Sequence, residues 1–485
     1  MCRHFKRQPA RLCEAGAISF LVLLTQTLLS QSAPVSADYP WHTSVQEQIE
    51  VDARNVPGTK FILDAAKTYS LAELIDLAEA HNPATRVSWE RARSLAASLG
   101  VARSELYPAL AATALSQTSR SEAFFGGQFY KQVIQDFQVS LKLNYTVLDF
   151  GARAGRIHAA AAQLLAANFA FNDTHRNVIY QVQTAYYRVL SSMGQEDAAR
   201  ASLANAQAVE QAAEDRLAQG LATRPDVLEA RSAVAQADYE LQAVLGAEEI
   251  ARGDLATATG APAAAIRVYP LDQVPTRESM EETVEQAMDR ALGQRPDLMQ
   301  QVAEIRSANA RVKEARAAYY PALSLSANPV MPSIYALQQP SPWAHASDLT
   351  GAIAFNLNWT IFDGGSRKNR LAQAQADVRG AEAQANVKRN QIADEVWTAY
   401  SNLNTAFRQR QAAIALLDSA TQSYGAALES YNYGVRNLLD VTAAQRALAQ
   451  ARSADVSSRT QVLTALAELA FRTGDSIRAT GRSQP

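Results

Sequence analysis

Cysteine is almost absent from this sequence, and so is any long run of apolar residues. Of its 485 residues only Cys2 and Cys13 are cysteines, and both precede the apolar stretch 17–29. No disulfide framework or thiol chemistry is therefore expected beyond the N-terminus. Cys13 does not follow the apolar stretch, where a lipid-modified cysteine would lie. No apolar run of about 18 residues occurs later, so the sequence predicts no transmembrane helix.

Motifs of catalysis and cofactor binding are also missing. The six histidines form no close pair that would suggest a metal site. The sequence has no phosphate-binding glycine loop and no nucleophile elbow. A formal net charge of −2 provides no basic surface for nucleic acid. We therefore expect that the protein is not an enzyme and that it binds no cofactor, metal or nucleic acid.

The N-terminus has the layout of a signal peptide, which we place at residues 1–37. Four basic residues precede the apolar stretch 17–29, and Val-Ser-Ala at 35–37 fits a small-residue cleavage site. The apolar stretch is short for a membrane-spanning helix. An uncleaved membrane anchor is the alternative interpretation.

Two segments, 137–147 and 353–361, alternate between apolar and polar residues. In the first, Phe137, Val139 and Leu141 alternate with polar residues, and the second repeats the pattern with Ile353 and Phe355. A period of two is typical of a strand with one apolar face. Such a strand suits either a small soluble sheet or a bilayer, which requires about 9–11 residues per strand.

Most of the remaining chain has helical periodicity. From Ala152 to about Leu217 there is no proline, and apolar residues recur at steps of three, four and seven. This predicts a helix of about 65 residues, roughly 100 Å long. A turn at 220–226 and a second helix to about Ala258 follow. An ordinary coiled-coil rod would explain the helices, but their alanine-rich flanks favour a closed ring of helices.

The whole pattern occurs twice. Asn-Pro at 82–83 returns as Arg-Pro at 295–296, Tyr-Pro at 107–108 returns at 320–321, and the turn 220–227 returns at 434–441. Offsets of 213 and 214 held over this distance indicate a duplicated domain. The predicted organisation is as follows: signal peptide 1–37; N-terminal arm 38–69; first repeat 70–259, with strands at about 108–121 and 132–148 around a loop at 122–131; linker 260–285; second repeat 286–475, with strands at about 321–336 and 349–362; C-terminal tail 476–485.

Four amphipathic strands cannot close a barrel by themselves. A strand in lipid must belong to a closed barrel, and known barrels begin at about eight strands. The chain is therefore expected to contribute strands to an oligomeric barrel. Aromatic residues at both ends of the strands, including Tyr107, Phe150 and Trp343, are typical of the membrane interfaces.

These residues resemble the TolC-type outer-membrane efflux proteins. The resemblance extends over about 70–475 and rests on the duplicated helix starts, Asp-Phe-Gly at 149–151, Asp-Gly-Gly at 363–365, and the two turns. It implies a mainly α-helical homotrimer with a 12-stranded barrel in the outer membrane and a long α-helical barrel in the periplasm. The linker and the chain ends would form an equatorial collar. The trimer would serve as the exit duct of a tripartite efflux pump or a type I secretion system. Its partners would be a periplasmic adaptor and an inner-membrane transporter of the RND, ABC or MFS type.

The same resemblance assigns roles to three sets of residues. Gate or latch candidates are Asp226, Tyr431, Arg436 and Asp440. Adaptor-docking candidates are Gly220, Leu221, Gly434 and Val435. Strand–helix junction candidates are Asp149, Gly151, Asp363 and Gly364.

Two observations bear on the gate. Asp226 and Asp440 each stand three residues after a potential N-cap, Thr223 or Asn437, so helix capping alone would also explain them. Ala443 occupies a position where some family members carry a second acid, so a two-tier acidic constriction is not expected. A ring of Asp440 side chains would favour cations in a narrow pore.

Two other functions compete with the duct. A periplasmic structural or adaptor coiled coil would explain the helices but not the duplicated strand pairs. A general diffusion porin would be mostly strand.

Overall fold

The computed structural model describes residues 38, 46–56, 61, 63–64, 66–262, 266–271, 282–338 and 341–475. The predicted signal peptide 1–37 and tail 476–485 lie outside these residues. Residues 1–60 form a unit of their own, in which the described element is helix α1 (Gln46–Arg54). Residues 61–485 form the second unit.

The second unit consists of two similar runs of elements. The first run contains β1 (Thr68–Tyr69), α2 (Leu71–His81), α3 (Pro83–Ser104), β2 (Ala109–Phe125), β3 (Gln128–Leu148), α4 (Ala152–Ala218) and α5 (Arg224–Ala258). The second run contains β4 (Arg267–Val268), α6 (Val284–Gln294), α7 (Pro296–Ala317), β5 (Ala322–Gln338), β6 (Ala344–Ser347), β7 (Thr350–Asn358), α8 (Ser366–Asn432) and α9 (Leu438–Thr473).

The two long helices are of equal length. Helices α4 and α8 have 67 residues each, which at 1.5 Å per residue is about 100 Å. Their buried positions are largely alanine and valine, such as Val182, Val189 and Ala206 on α4. Small buried side chains let each helix approach two neighbours closely. None of the helices in the described ranges combines the length and apolar character needed to cross a bilayer.

Helix α4 is the centre of the helical part. It contacts α3 and α7 along its first half, and α5 and α9 along its second half. Helix α8 contacts α7 and α9. Helix α7 packs against both long helices, whereas α3 packs against α4 alone of the two. One side of α3 therefore has no helix of the described residues packed on it.

The hairpin β2–β3 is longer than the sequence predicts. Its ladder continues to Phe125 opposite Gln128, and Gly126 and Gly127, both with positive φ, form the turn. The predicted loop at 122–131 is therefore wrong. Two consecutive left-handed residues suit the twist of a two-residue hairpin. Adjacent aromatic residues on both sides of the turn, Phe124-Phe125 and Phe129-Tyr130, interrupt the alternation that indicates a strand.

The sheet has four strand positions. Its order is β2–β3–β5, and both β6 and β7 pair with β5 on its other side. The short β6 pairs with residues 333–336, and β7 pairs with residues 322–330. The fourth position is thus one interrupted strand. The sequence did not predict β6, and it placed the end of the last strand at 362 rather than at Asn358.

The apolar face of β7 is not covered by protein. Ile353, Phe355 and Leu357 are 79%, 69% and 69% exposed. A soluble sheet would bury such a row, because exposed contiguous apolar surface is unfavourable in water. The observed exposure therefore contradicts the soluble-sheet alternative for this strand.

The N-terminal arm and the linker meet in a small parallel sheet. Thr68 pairs with Arg267, and Tyr69 with Val268. From the sequence, residues 38–68 were expected to be polar and irregular, but they include helix α1, and Thr68 begins a strand. Tyr69 and Val268 belong to the largest buried apolar cluster of the molecule.

A group of charged side chains around two buried arginines joins several helices. We call it the equatorial ion cluster; it consists of Arg176, Arg295, Asp297, Glu395 and Arg472. Arg176 and Arg295 have side chains only 2% and 3% exposed. Arg295 donates to both carboxylate oxygens of Asp297, at 3.0 and 2.7 Å, and lies 2.6 Å from Glu395. The cluster therefore ties the start of α7 to α8 and α9.

Candidate functional site

The two turns that reverse the long helices have the same backbone conformation. Gly220 follows α4 and Gly434 follows α8, each with φ +76°. A C-terminal glycine in the left-handed region ends a helix without a Cβ clash. In each turn the next residue donates its N–H to a carbonyl five residues back: Leu221 to Arg216 at 2.8 Å, and Val435 to Ser430 at 2.9 Å.

The helices that leave these turns are capped in different ways. In the first turn the Asp226 carboxylate accepts the N–H of Thr223 at 2.8 Å and its hydroxyl at 2.7 Å. In the second turn Asn437 accepts the N–H of Asp440 at 3.0 Å. No hydrogen bond to the Asp440 carboxylate occurs within the described residues. The capping explanation therefore accounts for the Asp226 carboxylate and not for that of Asp440.

Tyr431 is buried where the two helix pairs meet. Its side chain is 4% exposed and packs among Val209, Val227 and Leu438. The guanidinium of Arg216 lies 4.6 Å from the centre of its ring and donates to the Tyr431 carbonyl at 2.5 Å. Burial raises the pKa of the Tyr431 phenol, which Arg216 opposes and Asp226 reinforces.

The four gate candidates are not joined within one chain. Arg436 and Asp440 are exposed, Asp226 is half-buried, and Tyr431 is buried. Among the described residues, no ion pair connects Arg436 to either aspartate. The residue that sequence reasoning missed is Arg216. Arg216 contacts Tyr431, which lies more than 200 residues later in the sequence, so no local motif indicates this contact.

The docking candidates form an exposed apolar surface at the turns. Leu221 is 63% exposed and Val435 is 78% exposed. The neighbouring Tyr433 and Leu439 are 79% and 58% exposed. Large apolar side chains in such a position are costly in water and are typical of interaction sites.

The strand–helix junctions form the same hydrogen-bonded turn twice. Asp149 accepts the N–H groups of Gly151 and Arg153 and the Nε–H of Arg153, at 3.2, 2.8 and 3.0 Å. Asp363 accepts the corresponding groups of Gly365 and Arg367 at 3.1, 2.9 and 2.8 Å. Each aspartate thus closes the turn and caps a long helix.

Electrostatics favours the charged form of both aspartates. Burial raises the pKa of Asp149, but the N–H groups of Arg153 and Gly151 and the guanidinium of Arg153 outweigh it, so the pKa is lowered. The N–H of Arg367 is the main cause that lowers the pKa of Asp363. The two arginines were not identified from the sequence.

The junction glycines differ from the prediction at one position. Gly151 and Gly365 are the N-caps of α4 and α8, with φ of +98° and +86°. Gly364 also has a positive φ, +64°, but it corresponds to Phe150, which holds φ +50° without being glycine. The counterpart of Gly151 is therefore Gly365 rather than Gly364.

Comparison with known proteins identifies the molecule. A family model described as outer membrane efflux protein matches residues 74–261 and 287–475. The chain belongs to the outer membrane efflux protein family. Relatives include protein CyaE of Bordetella pertussis, 28% identical over 87% of both chains, and outer membrane protein OprJ of Pseudomonas aeruginosa, 25% identical over 94% of both. The crystal structure of a membrane protein from Pseudomonas aeruginosa superposes with a TM-score of 0.74 at 26% identity, covering 86% of this chain and 98% of that one.

Membership of the outer membrane efflux protein family orients the molecule. The strands lie in the outer membrane, and the long helices extend into the periplasm. The turns at Gly220 and Gly434 form the periplasmic tip, and the junctions at Asp149 and Asp363 lie where the sheet meets the helices. The protein is an outer-membrane channel for efflux or secretion, so the alternative of a periplasmic structural or adaptor coiled coil is wrong.

Within the described residues, no group of three or more histidine, cysteine, aspartate or glutamate side chains could hold a metal ion.

Proposed function

We propose that three copies of this chain form one closed exit duct. The observation that carries the proposal is the sheet, which has four strand positions and, in the described part of the chain, unpaired outer edges at β2 and β7. Lipid does not tolerate an unpaired edge. Two copies would supply eight positions, whose interior side chains fill, whereas three supply twelve and leave a bore.

The duplication supplies the register between copies. Ala109 lies opposite Asn144 in the first hairpin, and Ala322 lies opposite Asn358 in the second. The corresponding residues are 213 positions apart in β2 and β5 and 214 positions apart in β3 and β7. Both hairpins therefore share one register. The strand pairing observed between the two repeats thus predicts the strand pairing between neighbouring chains.

Within the chain the two repeats meet where Leu143 lies opposite Ala327. Leu143 corresponds to Leu357 in the second repeat, and Ala327 corresponds to Ala114 in the first. The same contact between two copies therefore places Leu357 of one copy opposite Ala114 of the next. It follows that β7 of each chain pairs antiparallel with β2 of its neighbour.

The helices support the same arrangement. Helix α7 fills the space between α4 and α8, and its Ser307 donates to the carbonyl of Ala159. The equivalent residue on α3, Ser94, is exposed, and Val87 and Val101 on α3 are each 70% exposed. We expect α8 of the neighbouring copy to cover this side of α3.

Cysteine cross-linking tests the register. The native cysteines are only Cys2 and Cys13, so Ala114→Cys with Leu357→Cys introduces one new pair. Directly opposed Cα atoms in an antiparallel ladder are about 4.5–5.5 Å apart, within disulfide range. We expect oxidation to give covalent dimers and trimers.

The matched control moves one cysteine by two residues on the same face. Ala114→Cys with Phe355→Cys separates the Cα atoms by about 8 Å, since each residue advances about 3.3 Å. This pair exceeds the disulfide limit of about 7 Å. Equal cross-linking of both pairs, or none with the first pair in membranes that contain the protein, would refute the proposed contact.

We further propose that the periplasmic tip docks an adaptor protein, through which an inner-membrane transporter of the RND, ABC or MFS type delivers cargo. The exposed Leu221 and Val435 beside Gly220 and Gly434 support this, because an apolar surface at the end of a duct suits a protein partner. Leu221→Asp with Val435→Asp should abolish export while the oligomer persists on unheated gels. Leu228→Asp, which alters another exposed leucine on α5, is the control.

The gate is proposed at the same end. The Asp440 carboxylate takes no part in helix capping, and Arg436 is exposed, so both are available to pair with another copy. In contrast, Tyr431 packs in the core of the tip, and Asp226 caps the start of α5. Charge-assisted hydrogen bonds between chains would keep the tip closed. Asp440→Ala or Arg436→Ala should raise single-channel conductance in planar bilayers. Unchanged conductance in both variants would remove these residues from the gate.

A further inference from the structure

A basic pocket lies between α4 and α7, close to the end of the sheet. It is a cavity of about 430 Å³ lined by His158, Ala161, Ala162, Leu165, Arg306, Asn309, Ala310 and Lys313. Two buried alanines, Ala162 and Ala310, form its apolar floor. The polar lining consists of an imidazole, a guanidinium, a carboxamide and an ammonium group, and it includes no acid.

The basic residues of this pocket have no acidic partner among the described residues. Within the described ranges, neither His158, Arg306 nor Lys313 takes part in an ion pair. The neighbouring acid, Glu314, is engaged by Arg156 at 3.4 Å, and Arg156 is also held by Glu105 at 2.5 Å. The pocket thus concentrates hydrogen-bond donors and positive charge without compensation, which favours an anion.

The corresponding positions of the other repeat show that these side chains are not needed for helix formation. His158 corresponds to Ala372 on α8, and Asn309 and Lys313 correspond to Ala96 and Gly100 on α3. Helices α8 and α3 form with the same bounds relative to their strands as α4 and α7 do. The three polar side chains are therefore additions to the scaffold rather than a condition for it.

Among the pocket residues, Arg306 has a basic counterpart in the other repeat, and the two arginines have different surroundings. Arg93, the counterpart of Arg306, pairs with Glu90 at 3.4 Å and lies 4.6 Å from the ring of Trp89. On α7 the residues at these two positions are Ala303 and Val302. The first repeat neutralises its arginine on its own helix, and the second leaves it facing the pocket.

The pocket lies at a depth that a lipid head group can reach. His158 is six residues after the start of α4 and Lys313 four before the end of α7, which is about 9 and 6 Å of helix. The exposed rings of Phe150 and Tyr320 stack at 5.1 Å at that end, as expected at a membrane interface. The head-group region extends about 5–8 Å beyond the hydrocarbon.

We propose that this pocket binds one phosphate group per chain. Guanidinium, ammonium, imidazole and carboxamide donors around a small-residue floor provide the hydrogen bonds that phosphate oxygens accept. Two sources supply such a group: the head group of an anionic phospholipid in the periplasm-facing leaflet, and a soluble phosphate ester. The proposal concerns a face of the helices that the tip and the contact between copies do not use.

The test uses the full-length protein purified in detergent. Native mass spectrometry with phosphatidylglycerol should show up to one retained lipid per chain. Calorimetric titration with glycerol phosphate should show whether the soluble ester binds. Retention of the lipid without binding of the ester assigns the site to the head group, and binding of the ester assigns it to soluble phosphates. Binding of neither overturns the proposal.

The decisive variant removes the three side chains that the corresponding positions of the other repeat lack: His158→Ala, Asn309→Ala and Lys313→Ala together. Because one cation and two further hydrogen-bond donors are lost, we expect affinity to fall about ten-fold or more. Arg311→Ala with Arg103→Ala, which removes two exposed cations outside the pocket, is the control for the loss of positive charge and should leave affinity unchanged. Arg306→Gln provides a second, single-residue variant with the same expected direction. Unchanged affinity in both pocket variants, or an equal loss in the control, would overturn the proposal.

Discussion

Removal of Arg295 should loosen the middle of the helical part far more than removal of a surface arginine. Its guanidinium, 3% exposed, makes two hydrogen bonds to Asp297 and one to Glu395. Arg295→Ala leaves Asp297 buried, with Arg176 and Lys388 only at 3.9 and 3.8 Å. Glu395 retains Arg472 at 3.1 Å.

The size of the expected loss of stability follows from the burial of Arg295 and Asp297. Breaking a buried ion pair by removing one side costs about 3–5 kcal/mol, because the remaining charge is left uncompensated. The control is Arg188→Ala. Arg188 pairs with Asp254 at 2.9 Å, but the two side chains are 61% and 47% exposed. Such a surface pair contributes about 1 kcal/mol or less.

Hydrogen exchange measures this difference locally. Amide protection near the start of α7 and the facing turn of α8 should decrease about a hundred-fold to a few thousand-fold in Arg295→Ala. The double variant Arg295→Met with Asp297→Leu removes both charges and should recover most of the protection. If Arg295→Ala exchanged as slowly as Arg188→Ala, or if the double variant were no better than the single one, the reasoning would be refuted.

The contribution of Asp297 to stability depends on pH with a defined sign. Burial raises the pKa of Asp297, but the hydrogen bonds and charge of Arg295 outweigh it, so the folded pKa is below the ordinary value. A depressed carboxyl pKa contributes stability above the unfolded pKa, and that contribution is lost as the pH falls through the folded pKa. In Arg295→Ala only burial and two distant cations remain, so protection around α7 should depend less steeply on acid than in the wild type.

Three further predictions concern the tip and the junctions. Arg216→Ala should raise the pKa of Tyr431 further, because the cation that opposes the effect of burial is gone; ultraviolet titration of the phenol would detect it, and an unchanged titration would contradict the stacked arrangement. Asp149→Asn should weaken the oligomer on unheated gels at neutral pH, whereas the wild type should lose this contribution only as the pH falls through the lowered pKa of Asp149; equal gel stability of both proteins would contradict the junction role. Gly434→Ala should destabilise the tip by about 1 kcal/mol, because its φ is +76°, whereas Gly246→Ala, in mid-helix with open space around the added Cβ, should be neutral or stabilising in thermal unfolding.

The long helices and the duplication were predictable because their signals are local and repeated. A proline-free stretch with apolar periodicity specifies α4, and the glycine turn with its cap specifies its end. The same signals return at α8 with nearly constant offset. The ends of the strands were less predictable. Both faces of the sheet are exposed near Gly126, so no alternation of apolar and polar residues marks the strands there.

Contacts between distant parts of the chain were beyond sequence reasoning. Arg216 holds the carbonyl of Tyr431, and Arg176 holds that of Phe471. A guanidinium that donates to a backbone carbonyl leaves no trace in the sequence of its partner, since any residue supplies the carbonyl. Only the folded chain brings these groups together.

The two repeats separate what the fold requires from what it does not. Residues that occur at corresponding positions in both halves, such as Asp149 and Asp363, form the same hydrogen bonds twice and are explained by the architecture. Where the halves differ, the architecture tolerates either residue, so the difference needs another cause. At the tip the carboxylate of Asp226 closes a cap, whereas that of Asp440 does not, because Asn437 caps the second helix instead. The helix start is satisfied in both turns, and only the second turn leaves a carboxylate available. This asymmetry favours Asp440 over Asp226 as the charge that a passing ion meets, and it gives the conductance of Asp440→Ala more weight than any other test of the gate.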